Sequence, residues 1–423
     1  MANFDNCGMQ IELTYDLLER FARRLNMPFD TAPNEMNIIV LRGAKTISAS
    51  SQTVVDTPEE TAEQVERYLR EDQQIIDEHC TIELADDRLD RYNDVSVFVW
   101  VDEQNRHHVR AVLISADPGR YYIEHPMVPG GAASLAPGSY QAEWSLHGGY
   151  DCLILKKNGS ASFSGRRISR YRIDDKRAAT KSDDEIIVLE YTYTNIGNIQ
   201  MHAGGTPPNL VHNWSGGCIV IAGAQTPRNR GEVYREVMED EGWLEETEGG
   251  PQLKNVSFNV IVWNAYSLYQ FSLPGERFRP VIEFGTNDLA DKLPGLEQEA
   301  ELWVTKMQEK LNEKRGTLNQ HMEDLQETYA DELQELRQNH PGDRMELNPI
   351  NELDTDGKFG NLTANALRSF QLAYYLLRED IHPIIHVDRD VNATELLWER
   401  SKWLCGPHTW KLLDPEHRRV YIR

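Results

Sequence analysis

Between about Asn93 and Phe271 the chain is cut into short apolar runs, VSVFVWV, VRAVLISA, YDCLILKK, EIIVLEYTYT, GCIVIAGA and VSFNVIVW, with Gly, Pro, Asn and Asp between them. Runs so short and so rich in β-branched and aromatic residues suit pleated strands, which predicts a mostly β domain. Asn37 to Arg42 adds one more apolar strand upstream. Within residues 1–35, Ile11, Leu13, Leu17, Leu18, Phe21 and Leu25 follow helical spacing and predict a short amphipathic helix that ends before Pro28. From Thr57, TPEETAEQVERYLREDQQIIDEH opens on a capping signal and an acidic first turn and continues through Val65, Leu69 and Ile76. It predicts a helical insertion near residues 57–90.

Beyond the β region, Leu293 to Gln338 is rich in Glu, Gln, Lys and Leu and has no proline between Leu296 and His340. Leu311, Leu318, Met322, Leu325, Tyr329, Leu333 and Leu336 recur at three, four or seven residues, which predicts a long helix. Two readings of residues 290–340 stand side by side: a helical hairpin broken at Gly316, or a coiled-coil seam for a second copy or a delivery apparatus. Residues 345–423 read as a compact final segment. The expected fold class is mixed: a mainly β domain over residues 36–275, a long helical linker, and a small α-helical C-terminal domain.

Charge narrows the partners. Lys and Arg number 44 against 68 Asp and Glu in 423 residues, a net charge of −24. So acidic a chain is repelled on average by nucleic-acid phosphates and by anionic membrane surfaces, so neither is an expected partner. No apolar run approaches the roughly 20 residues that span a bilayer, and MANFDNCGMQIELTYDLLERF lacks a basic and then apolar leader. Synthesis in the cytoplasm without a Sec-type signal is the expectation. The five cysteines are scattered with no CxxC pair, so neither a disulfide framework nor a thiolate metal site is expected, and no cofactor is called for.

The chemistry concentrates in NIQMHAGGTPPNLVHNWSGGCIVIAG, Asn198 to Gly223. His202 ends a short β run, and Cys218 follows sixteen residues later at the mouth of another, preceded by Ser215, Gly216 and Gly217. A cysteine nucleophile needs a base to promote its thiolate and donors for the oxyanion, and a His and a Cys on adjoining strands meet the first need. The two glycines would let the N–H groups of Gly217 and Cys218 approach a carbonyl oxygen. A buried structural cysteine beside a core histidine fits the bare pair as well, and for a random pair it is the commoner case.

The spacing of His202 from Ser-x-Gly-Cys resembles the signature of the L,D-transpeptidase (YkuD-like) catalytic domain. Leu135-Ala136-Pro137-Gly138-Ser139-Tyr140 is similar to a Pro-Gly-Thr-Tyr stretch of that family, and Arg91 to Val101 and Ile114 to Gly119 resemble its opening strands in a phage-like subgroup. The resemblance covers roughly residues 36 to 275. It implies Cys218 as nucleophile, His202 as base, Gly217 with Cys218 as oxyanion donors and Ser215 as organiser of the loop. It also implies that His212, Asn213, Trp214, Gly216 and Tyr140 line the substrate cleft. One position departs: where the family often carries an arginine two residues after the cysteine, this chain has Val220.

A second motif, Asp356-Gly357-Lys358-Phe359-Gly360-Asn361-Leu362-Thr363 through Phe370-Gln371, has a glycine turn, a second glycine and apolar residues at helical spacing. It resembles the peptidoglycan-binding module whose pattern is Asp-Gly-x-Phe-Gly-x-x-Thr-x-x-Ala-x-x-x-Phe-Gln. By that resemblance Asp356, Gly357, Phe359, Gly360, Thr363, Phe370 and Gln371 form the peptidoglycan-binding set. Gly406 to Leu413 is similar to the module's second half, after a longer spacer.

Other candidates carry less. Asp354 to Gly357 lacks the later ligands of a calcium loop, and Pro383 argues against a helix that would pair His382 with His386. His107-His108 reads as a solvated pair at a turn, and Asp183-Asp184 and Glu239 to Glu248 as charged surface. Both resemblances imply one substrate. The expected protein is a cysteine peptidase or transpeptidase acting on peptidoglycan stem peptides, delivered by phage lysis, injection or secretion; the alternative is a non-catalytic wall-binding or structural component.

Overall fold

The computed structural model describes residues 10–33, 35–46, 79–84, 92–128, 130–147, 150–170, 189–204, 211, 213–222, 244–247, 250–253, 258–272, 282–283, 285–286, 303–339, 345–377, 396, 404–405 and 407–413. In chain order its first elements are β1 (Gln10–Thr14), α1 (Tyr15–Arg24), β2 (Met36–Arg42), β3 (Ala44–Thr46), β4 (His79–Leu84), β5 (Asp94–Val101), β6 (His107–Ser115) and α2 (Arg120–Glu124). Then follow β7 (Ala132–Ser134), β8 (Gly138–His147), β9 (Tyr150–Lys156), β10 (Ser162–Arg170), β11 (Leu189–Gly197), β12 (Gln200–Ala203), β13 (Ile219–Ile221), β14 (Leu244–Thr247), β15 (Gly250–Leu253) and β16 (Phe258–Asn264). The last are α3 (Ala265–Ser272), β17 (Ile282–Glu283), α4 (Trp303–Thr328), α5 (Ala330–Asn339), α6 (Asn361–Leu376), β18 (Leu404–Cys405) and α7 (Pro407–Leu413).

Strands β12, β13, β6, β5, β2, β16, β8 and β9 close, in that order, into a barrel. Only β12 with β13 and β16 with β2 run parallel. Alternation along each strand fills the interior: Ile38 and Val40, Phe98 and Trp100, Val112 and Ile114, Val260 and Val262, Ile219 and Ile221 belong to one buried cluster. The opposite faces of β2, β5 and β16, through Ile39, Leu41, Val95, Val97, Val99, Ile261 and Trp263, pack into a second cluster with Leu17, Leu18 and Phe21 of α1 and Leu268 of α3. Burial on both faces explains why NIIVLR and VSVFVWV read as continuous apolar runs rather than alternating ones.

The N-terminal segment departs from the expected single helix. Ile11 and Leu13 lie on strand β1, and the helix starts only where the Thr14 hydroxyl accepts the N–H of Leu17 at 3.2 Å. It stops at Asn26, whose φ of 54° and the bonds Asn26 N to Arg23 O (3.0 Å) and Met27 N to Ala22 O (2.9 Å) close a Schellman turn before Pro28. Within this segment β1 pairs with β4, and α1 packs on the barrel. The insertion also differs: His79–Leu84 is a strand between β1 and β3, and residues 57–78 lie outside the described residues. Leu244–Thr247, expected as charged surface loop, is strand β14 paired with β15.

The histidine pair at the β5–β6 turn is not simply solvated. His107 stacks on Tyr15 with ring centroids 3.9 Å apart. His108 lies over Trp100 and its Nε2 meets Asp102 Oδ2 at 2.9 Å. Burial pushes the Asp102 carboxyl up, but hydrogen bonds from His108 and Arg106 reverse this and hold it well below the usual carboxylate range.

Helix α4 runs unbroken through Gly316, and the axis is interrupted only at Tyr329, before α5. Its stripe of Trp303, Val304, Met307, Leu311, Leu318, Met322 and Leu325 is buried with Leu367 and Phe370 of α6. Polar residues at heptad spacing hold the extended stretch 345–353 along the same helix. Asn312 exchanges two hydrogen bonds with the Leu353 backbone (2.8 and 2.9 Å), and Asn319 exchanges two with Ile350 (both 2.8 Å). The expected hairpin break at Gly316 thus gives way to a continuous helix whose apolar stripe packs on the chain's own C-terminal unit. Among the described residues, no helix is long and apolar enough to cross a membrane.

Candidate functional site around Cys218

Strands β12 and β13 lie side by side in parallel register, Met201 opposite Ile219 and His202 opposite Val220. Met201, Ile219 and Ile221 fill the barrel interior, so alternation turns His202, Cys218 and Val220 to the outside. The His202 and Cys218 Cα atoms are diagonal neighbours, about 8 Å apart at the usual strand spacing and rise. His202 and Cys218 are both half-buried. The parallel pairing of two short strands thus joins residues that sequence distance alone leaves apart.

The turn into Cys218 is held from within and from outside. The Ser215 hydroxyl donates to the Cys218 carbonyl at 2.7 Å and accepts the Gly217 N–H at 3.0 Å. The Ser215 carbonyl accepts from Gly119 N (2.8 Å), and the Gly216 carbonyl accepts from Ala133 N (3.1 Å). Gly217 has φ of 133°, and a Cβ there would stand 2.4 Å from the Ala133 carbonyl oxygen, so only glycine fits. Ser215 therefore braces the loop through hydrogen bonds of both its hydroxyl and its carbonyl. One expected role changes: the Gly217 N–H, expected as an oxyanion donor, is committed to the Ser215 hydroxyl.

Burial pushes the Cys218 thiol up, and the backbone N–H of Gln200, which donates to its sulfur, offsets this only in part. At neutral pH the resting thiol is protonated. Any nucleophilic role then requires a base to take the proton as substrate arrives.

The expected cleft residues separate. Asn213 is exposed and Trp214 and Gly216 are half-buried on the loop, whereas His212 lies outside the described residues. Tyr140 is a correction. Its ring is 2% exposed inside the barrel against Phe163, and its hydroxyl donates to the Ala136 carbonyl at 2.6 Å, so it is a core residue.

Two neighbours of the loop escaped the sequence reading. The first is a buried charge cluster. Arg42 ends β2 and pairs with Asp117, while the Ser134 hydroxyl donates to Asp117 at 2.9 Å and accepts from Arg42 (3.0 Å) and Arg166 (3.0 and 3.1 Å). Asp94 accepts from Gly43 N (2.9 Å) and Ala116 N (2.7 Å); burial and then the nearby Asp117 raise its carboxyl to about 7 against the pull of Arg42. Asp117 and Ser134 sit two and one residues from the backbone groups that grip the Cys218 loop. The available signal was a charge ending an otherwise apolar strand, as in NIIVLR and NDVSVFVWV. The second neighbour is apolar surface: Tyr121, Met127 and Val128 are exposed, and Met127 reaches over Gly216.

In the C-terminal unit the motif builds a turn. Gln308 of α4, buried, donates to Asp356 (2.9 Å), the Lys358 carbonyl (3.1 Å) and Thr363 (3.1 Å) and accepts from Gly357 N (3.0 Å). Gly357 has φ of 69°, and Gly360 is the N-cap of α6. Phe359, Thr363, Phe370 and Gln371 are buried, with Gln371 donating to Thr409 at 2.7 Å. The buried members of the set shape the unit, while Asp356 remains exposed at its surface. No known protein family, curated protein or solved structure matches this chain.

Proposed function

We propose that the protein is a cysteine enzyme of peptidoglycan, acting on stem peptides through Cys218 and His202. The observation that carries this reading is the placement of both residues on the outer face of adjacent parallel strands, with the Ser215-Gly216-Gly217 turn held rigidly in front of the cysteine. His202 takes the thiol proton, and Cys218 attacks the carbonyl of the diamino acid in the stem. The Cys218 N–H stabilises the oxyanion, and His202 returns the proton to the departing D-amino acid. Water as second acceptor gives an L,D-carboxypeptidase or endopeptidase; an amine gives an L,D cross-link. With Val220 in place of an arginine that would hold a peptide acceptor, hydrolysis is the favoured outcome. The C-terminal unit would supply wall affinity, and a phage or injection apparatus would supply delivery.

The test is mass spectrometry of muropeptides incubated with the protein and with Cys218→Ala. Loss of a terminal D-amino acid, stem cleavage or a new cross-link that requires Cys218 supports the enzyme. One observation favours a second reading, a non-catalytic wall-binding or structural component: the thiol is raised rather than lowered. Unchanged muropeptides together with sedimentation on intact sacculi would select it.

A further inference from the structure

Gln200 opens β12 one residue before the Met201–Ile219 pair, which sets it across from Cys218. Its backbone N–H donates to the Cys218 sulfur. Since Met201 points into the barrel, the Gln200 side chain leaves on the outer face with His202. There its Oε1 is buried and accepts no hydrogen bond. A desolvated carbonyl oxygen without a donor is unfavourable, and a site that keeps one beside a nucleophile has an acceptor ready for an incoming N–H.

We infer that Gln200 is a specificity-determining residue, its Oε1 accepting an amide N–H that the substrate presents beside the Cys218 sulfur. The inference rests on Cys218 being the nucleophile. It assigns amides rather than esters as the substrate class, because an ester brings no N–H and leaves the oxygen desolvated and unpaired. In an amide, the same bond would hold the N–H toward Gln200 and turn the nitrogen's other face toward the proton held by His202.

Two neutral electrophiles of similar size test this without turnover: iodoacetamide, which carries N–H donors, and methyl iodoacetate, which carries none. With each, the Cys218 sulfur forms an S–C bond, iodide leaves with the C–I electron pair, and the thiol proton passes to base. Alkylation at Cys218 is followed by peptide mass spectrometry on the full chain, and the ratio of the two rates is divided by that for free cysteine. We expect about a 3- to 10-fold excess for iodoacetamide in the wild type, its loss in Gln200→Leu and its retention in Gln200→Glu, which keeps an acceptor. A wild-type ratio near that of free cysteine, or one unmoved by Gln200→Leu, would overturn the inference. The wild-type ratio needs no variant to fold. An amide preference without any Cys218-dependent change in muropeptides would support the acceptor while removing the peptidoglycan assignment. Turnover of muropeptides without the preference would overturn the acceptor alone.

Discussion

Arg42 and Asp117, 75 residues apart in the chain, form a buried ion pair behind the loop that carries Cys218. Each charge is tolerated there because the other, together with Ser134, hydrogen-bonds to it. Replacing Asp117 with Ala strands the fully buried Arg42 guanidinium, and we expect a loss of about 3–5 kcal/mol in urea denaturation. Because Gly119 N, two residues on, holds the Ser215 carbonyl, amide exchange at Gly217 should quicken in the same variant.

Asp94 gives the fold a pH dependence of definite sign. Its carboxyl is raised to about 7 in the folded protein from 3.8, so its contribution is fully present below pH 3.8 and is lost as pH rises through about 7. In Asp94→Asn this component disappears. Denaturation midpoints at pH 5 and pH 8 should therefore lie closer together in the variant, and an unchanged gap would remove Asp94 as its source.

The two glycines before Cys218 should respond unequally. At Gly217 a methyl group meets rigid backbone and a left-handed φ, whereas at Gly216 it meets the flexible end of Met127. We expect Gly217→Ala to cost about 1–3 kcal/mol and to abolish any Cys218-dependent turnover. Gly216→Ala should stay within about 1 kcal/mol of wild type. Thermal melting and the muropeptide assay read both.

Gln308 ties α4 to the turn at Asp356–Gly360 by three hydrogen bonds and to Thr363 of α6 by a fourth. Gln308→Ala leaves the buried Gly357 N–H unsatisfied, at a cost of about 1–3 kcal/mol. Faster hydrogen exchange in α6, with exchange in the barrel strands unchanged, is the expected signature.

Among the described cysteines Cys218 is only half-buried whereas the others are fully buried, so it should be alkylated before Cys80, Cys152 and Cys405. Its burial-raised thiol predicts a rate that keeps climbing with pH after an ordinary thiol has levelled off. A plateau at lower pH would show that another group draws the proton away in the resting protein.

The strands were legible because burial on both faces writes itself as an unbroken apolar run, as in β5 and β16. The helix α4 was legible from its three- and four-residue spacing, but its partner was not. Asn312 and Asn319, beside the helix's apolar stripe, bind an extended stretch that helical spacing does not reveal. In the candidate site, the sequence singled out His202, Ser215 and Cys218, which lie close together, but misread Tyr140, whose hydroxyl donates four residues back in its own chain. The cluster of Arg42, Asp94, Asp117, Ser134 and Arg166 was hidden because its members come from five separate parts of the chain, and only the packing of the β7–β10 sheet against the barrel assembles them.

The C-terminal unit is sewn to the rest of the molecule at several points. Ile282–Glu283 pairs with Leu404–Cys405, Gly285 and Thr286 exchange two backbone hydrogen bonds with Phe359, both 2.8 Å, and the Arg24 guanidinium lies 5.2 Å from the Trp303 ring centroid. Such stitching makes a ruler rather than a tether. If this unit grips a polymer, Cys218 is held at a set reach from the point of grip, and the bonds it can meet are chosen by the repeat of the polymer as much as by their chemistry.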